Sequence, residues 1–172
     1  SPVGTYAIVP AATGANLASY NVVYVNGTLT VGKATPVVIW ANPAGISYGT
    51  PLSATQLDAT SVTPGSFVYT PAAGAVLPVG TDTLSVTFTP TDTTTYTSVT
   101  QTATITVGQA TLTVTAANAS RAFGAANPVF TATAVGAVNG DTFTLTASST
   151  ATASSPVGTY AIVPAATGAN LA

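Results

Sequence analysis

Residues 81–107 read TDTLSVTFTPTDTTTYTSVTQTATITV. Within 81–89, Leu84, Val86 and Phe88 alternate with Thr83, Ser85, Thr87 and Thr89. A period of two sends one set to one face of an extended strand and the other set to the opposite face. Within 97–107, Val99, Ala103, Ile105 and Val107 fall on one side, and Thr100, Thr102, Thr104 and Thr106 on the other. Threonine suits the outer face, because its hydroxyl takes water while its branched Cβ favours extended backbone. These two stretches predict strands and set the reading of the chain as all-β.

The same pattern extends in both directions. Strands are predicted at 5–9, 20–26, 28–31, 36–41, 66–70, 111–116, 129–135, 141–146 and 159–163. Asn26-Gly27 is a two-residue hairpin signal. Pro36 suits a strand start, since proline brings no N–H to a ladder. Asn42-Pro43 and Tyr48-Gly49-Thr50-Pro51 carry turn chemistry. The 15 glycines and 12 prolines separate short strands at the spacing of a β-sandwich or barrel, and no helical period of useful length appears.

Two scales of repetition organise these strands. Residues 1–18, SPVGTYAIVPAATGANLA, recur letter for letter at 155–172, an offset of 155 − 1 = 154. Exact copies of that length mark a tandem array. Inside the long period, PVGT occurs at 2–5, 78–81 and 156–159, and TVG-x-AT at 30–35 and 106–111. The 154-residue unit therefore reads as two modules of similar plan. Residues 1–33 read as the back half of one module, 34–109 as a complete module, and 110–172 as the front part of the next. The chain reads as a window on a longer array.

Composition excludes several kinds of work. Charged residues make up 3% of the chain, against roughly 25% in an ordinary soluble domain. Lys33 and Arg121 are the cations; Asp58, Asp82, Asp92 and Asp141 are the anions. Two scattered cations make no footprint for nucleic acid and little for an anionic membrane. No apolar run approaches a membrane span. Cysteine and histidine are absent, as is glutamate. General acid–base and nucleophilic catalysis draw mainly on those residues, so no enzyme, cofactor or metal is expected. Asp82 and Asp92 read as turn aspartates and not as calcium ligands.

Two families are recognisable in the wording. Residues 34–110, with ATPVVIWANPAGISYGTPLSATQLDA and GSFVYTPAAGAVLPVGTDTLSVTFTPTDTTTYT, resemble the bacterial Ig-like repeat. Residues 111–172 together with 19–33 resemble the bacterial MBG domain. They carry its R-x-F/Y-G-x-x-N-P signature at Arg121, Phe123, Gly124, Asn127 and Pro128, followed by VNGDTF and SPVGTYAIVP. The resemblance implies tandem Ig-like antiparallel β-sandwich modules in exported, surface-attached or secreted bacterial proteins, with no catalytic residue to carry over.

The candidate residues are structural. Asp92-x-x-x-Tyr96 resembles the tyrosine corner of Ig-type sandwiches, in which the hydroxyl bonds back to the chain; Ser98 stands where an inter-sheet cysteine would be. Arg121 is expected to pair with Asp141 or to hold backbone carbonyls near Phe123-Gly124. Trp40 reads as core, and with Tyr48, Tyr69 and Tyr96 it forms the alternative, a sugar-binding groove. Lys33 reads as a solvated linker residue. The expected function is a semi-rigid extracellular stalk or fibre, associating with itself, with 1–33 donated to a neighbouring copy. The competing expectation is an adhesin that takes a surface carbohydrate or a protein receptor.

Overall fold

The computed structural model describes residues 1–168; the end of the second copy of the repeat, 169–172, lies outside them. The chain is all-β, built from several small sheets, with one short 3-10 turn at Leu17–Ser19. In chain order the strands are β1 (Gly4–Ile8), β2 (Gly27–Val31), β3 (Val38–Ile39), β4 (Ile46–Ser47), β5 (Thr60–Ser61) and β6 (Gly65–Thr70). They continue with β7 (Gly80–Pro90), β8 (Val99–Gly108), β9 (Thr113–Ala116), β10 (Ala132–Val135), β11 (Thr144–Ser148) and β12 (Val163–Thr167).

Packing divides the chain into two compact units. The first comprises Ser1–Ala44, Leu52–Ala75 and Thr83–Ile105. Its centre is the alternating stretch quoted above. Leu84, Val86 and Phe88 of β7 and Ala103 and Ile105 of β8 are buried, as the period of two requires. Strand β6 pairs antiparallel with β7, placing Phe67 opposite Phe88 and Tyr69 opposite Val86. The Phe67 and Phe88 rings lie 4.8 Å apart, and Trp40 meets Tyr69 edge-on at 5.5 Å. The Trp40 indole N–H donates to the Gln56 carbonyl (3.1 Å), so a buried donor is satisfied. Gly65 starts β6 against this cluster, where a Cβ would lie 2.5 Å from the Phe88 ring.

Strand β3 pairs with β5 over two residues only, Val38 with Ser61 and Ile39 with Thr60. The predicted strand 36–41 is thus shortened to Val38–Ile39. Its face assignment holds at Trp40, which is buried while Val37 and Ile39 are exposed.

The second unit comprises Gly45–Pro51, Val76–Asp82 and the residues from Thr106 onward. Strand β4, like β5 of the first unit, was not predicted from the sequence. In this unit β4 runs parallel to the end of β8, with Ile46 opposite Val107. Strands β9 and β10 form one antiparallel pair and β11 and β12 another. Within each of these pairs alternate side chains are half-buried and none is fully buried.

Two predicted strands are corrected. Residues 20–26 remain irregular, and β2 begins at Gly27, so Asn26-Gly27 makes no two-residue hairpin. The segment has apolar residues on both faces and no neighbouring strand to cover either. The hairpin that forms joins β1 to β2 across 9–26, with Tyr6 opposite Leu29. At the other end the strand predicted at 159–163 is displaced to Val163–Thr167, where β11 supplies the hydrogen bonds.

Phe88 is fully enclosed, whereas Val68 on the neighbouring strand is 63% exposed. Phe88→Ala should therefore lower unfolding free energy by about 3–5 kcal/mol in urea titration. Val68→Ala should stay within about 0.5 kcal/mol of the parent.

Candidate functional site

The described residues concentrate their polar side-chain contacts in two loops, and both hold backbone. The first follows β7. Asp92 Oδ1 accepts hydrogen bonds from the Thr94 hydroxyl (2.6 Å), the Thr94 amide (2.9 Å) and the Thr95 amide (3.1 Å). These donors, the Thr94 hydroxyl foremost and Thr95 next, hold the Asp92 carboxyl at about 2, below its ordinary 3.8. The Tyr96 amide closes the same turn on the Asp92 carbonyl (3.2 Å). The Tyr96 hydroxyl makes no hydrogen bond to the chain among the described residues, so the proposed tyrosine corner is not formed. A short carboxylate reaches the loop amides directly, and the aspartate does the fixing.

Bonds of the tyrosine-corner kind occur elsewhere, in both copies of the repeat. The Tyr6 hydroxyl donates to the Pro2 carbonyl (2.7 Å), and the Tyr160 hydroxyl to the Pro156 carbonyl (2.9 Å). Both sit in the repeated SPVGTY. The signal was present in the repeat itself, as a tyrosine four residues beyond a proline.

The second loop is built by the signature residues. Arg121 donates through Nε to Asn127 Oδ1 (2.7 Å), and through its two terminal nitrogens to the carbonyls of Ala122 and Thr152. Asn127 Nδ2 donates to the Ala151 carbonyl (2.7 Å). The Gly124 amide donates to the Ala153 carbonyl (3.2 Å). Three consecutive carbonyls, at 151, 152 and 153, are thus each held by one signature residue. Gly124 has φ +81°, a left-handed conformation that disfavours any residue with a Cβ. Of the two roles expected for Arg121, carbonyl capture is the one realised; Asp141 is not among its partners. Phe123 is 67% exposed and lies at the rim of an open cleft of about 460 Å³. Phe130, Tyr160 and Ile162 also line that cleft.

The remaining candidates do not converge on a site. Trp40 and Tyr69 lie in the aromatic core of the first unit, and Tyr48 lies in the second unit beside Asn139. Lys33, expected as a solvated linker residue, donates to the Thr93 carbonyl (2.7 Å) and is tied to the loop after β7. No group of three or more His, Cys, Asp or Glu is found among the described residues.

The geometry defines a class first: β-modules whose distinctive polar residues clamp their own loops. Residues 112–170 match the family of the MBG domain (YGX type), so the chain contains an MBG-type domain there. No curated protein and no solved structure matches the chain.

Two outcomes check this account. Asn127→Ala removes both its bond from Arg121 and its bond to Ala151, and should cost about 1–2 kcal/mol at these exposed positions by denaturant titration. Asp92 is ionised more readily in the folded chain than in the unfolded chain. Its stabilising contribution is therefore complete above pH 4 and is lost as pH falls toward 2. Thermal melts should show Asp92→Asn flattening the pH dependence of Tm in that window.

Proposed function

We propose that the chain is part of an extracellular structural repeat protein of a bacterium, a semi-rigid stalk or fibre without catalytic activity. In this reading Ig-like and MBG-type β-sandwich modules alternate along it. The observation that carries the reading is the exact recurrence of residues 1–18 at 155–172. Such repetition serves extension and cohesion, since each unit contacts mainly its neighbours along the array.

The joint after the hairpin supports stiffness. Strand β2 ends at Val31, and Ala34 already exchanges backbone bonds with Thr95 (2.8 Å) and Thr97 (2.9 Å). Only Gly32 and Lys33 lie between, and the Lys33 side chain is itself tied to Thr93. Flexible linkers are longer and rich in Gly and Ser.

Self-association into filaments follows from surface chemistry. Sheet edges are ordinarily guarded by lysines, and this chain has one. Uncharged, threonine-rich edges can accept a neighbour's strand through backbone hydrogen bonds. The adhesin reading has less support: the cleft beside Phe123 is partly aromatic, but the donors of Arg121 are engaged by its own chain.

Electron microscopy of the chain in low and 1 M salt tests this. Ordered fibres that survive the shorter Debye length of about 3 Å are expected. Fibres that dissolve in salt would assign cohesion to charge and remove the proposal.

A further inference from the structure

Two asparagines that hold backbone are each followed by proline. Asn42 Oδ1 accepts from the Thr104 amide (2.9 Å), and Asn127 belongs to the Arg121 clamp. Pro43 and Pro128 come next in the chain, and a proline nitrogen carries no N–H. Asn139 differs. It is followed by Gly140, which has an N–H and no Cβ.

That difference decides whether the amide lasts. The backbone nitrogen after an asparagine can attack the side-chain Cγ. An N–C bond forms, the Cγ–NH2 bond breaks and ammonia leaves. Water then opens the cyclic succinimide, at one carbonyl to give aspartate and at the other to give isoaspartate. In isoaspartate the main chain runs through Cγ and is longer by one methylene. Proline cannot supply the attacking nitrogen, and a Cβ on the following residue crowds it; glycine imposes neither restriction.

The turn leaves Asn139 open to this step. Its φ is +54° and that of Gly140 is +73°, the both-positive pattern of a type I′ turn. The Asp141 amide closes the turn on the Val138 carbonyl (3.0 Å). Asn139 and Gly140 are both exposed. The Gly140 amide donates to no backbone acceptor among the described residues, so no ladder holds the attacking nitrogen. At Asn26-Gly27, the other such pair, Gly27 stands in the β1–β2 ladder opposite Ile8.

The same turn is also a contact inside the second unit. Gly49 has φ +88°, and a Cβ there would lie 2.5 Å from Val138 Cγ2, so the loop 45–51 seats directly on Val138. Asn139 Nδ2 donates to the Tyr48 hydroxyl at 3.4 Å, and the Tyr48 amide donates to the Gly108 carbonyl (2.8 Å). Tyr48, Val138, Asn139 and Phe143 line a cleft of about 610 Å³.

We propose that Asn139 is a site of spontaneous deamidation, and that its products release the loop 45–51 from the turn at 138–141. The reaction needs only water, so it holds whether or not the chain forms fibres. Either product removes the amide donor to Tyr48 and adds a carboxylate two residues from Asp141. Isoaspartate does more. Its extra methylene does not fit a two-residue turn closed on Val138, and Val138 then loses its seat at Gly49.

Ageing the full chain in neutral and in mildly alkaline buffer tests this, with peptide mapping by mass spectrometry and isoaspartate read by enzymatic methylation. Asn139 should convert to the acid and its isoaspartyl form, faster in the alkaline buffer because the attacking nitrogen must lose its proton. Asn42 and Asn127 should remain amides. Hydrogen exchange of the Tyr48 and Asp141 amides should rise several-fold in the aged chain. Asn139→Gly suits the positive φ and has no amide to lose, so the same ageing should leave its exchange unchanged. An Asn139 that stays an amide in the folded chain while converting in urea would show that the turn protects it and would overturn the proposal. Conversion with unchanged exchange at Tyr48, or an equal rise in the aged Asn139→Gly chain, would overturn the release of the loop.

Discussion

An extended strand with apolar residues on one side needs two things at once: a partner for its backbone and a layer over its apolar face. Everything in this chain is arranged around how far that double requirement is met. It is met best between Pro36 and Val107, on the inner face of β7 and β8. Strands β6, β7 and β8 pair, and Phe88, Val86, Leu84 and Ile105 lose contact with water. Outside that region the backbone pairs only in the two-stranded ladders β1–β2, β9–β10 and β11–β12, and their apolar faces are at most half covered. Pairing without coverage yields a strand ladder whose stability depends on what comes to lie against it.

The polar residues serve the same end. With so few charges, loops cannot be held by ion pairs, and the chain uses hydrogen bonds from side chain to backbone instead. Asp92 gathers the amides of its turn, while Arg121 and Asn127 gather the carbonyls at 151 and 152. The two loops use opposite polarity for one purpose. An acidic residue suits a turn with free N–H groups, and a guanidinium suits one with free carbonyls. The MBG signature is thereby given a mechanical meaning. It fastens the segment that leads into SPVGTY, so that the repeated strand leaves the loop in a fixed direction.

In the MBG-type domain the signature residues are taken up by the fold itself. Its most distinctive side chains already have their partners within the fold. Outside the clamped loops, large apolar side chains such as Leu29, Val129 and Val157 stay exposed.

The alternation in 81–89 and 97–107 was enough to determine strands, their inward faces and the all-β character, because a period of two is a local property of the backbone. The exact recurrence of 1–18 at 155–172 was likewise legible, as was the MBG wording at Arg121, Phe123, Gly124 and Asn127. Three things were decided only in three dimensions. The turn after β7 is fixed by the Asp92 carboxylate, which accepts from its amides, and not by the Tyr96 hydroxyl. The captured carbonyls at 151–153 lie some thirty residues from Arg121, and carbonyls leave no trace in a side-chain sequence. The two copies of one 18-residue text took different strand limits, Gly4–Ile8 in one and Val163–Thr167 in the other. Their sequences are identical, so no reading of either could tell them apart; a strand's limits are set by the partner that supplies its hydrogen bonds, and that partner is a tertiary fact.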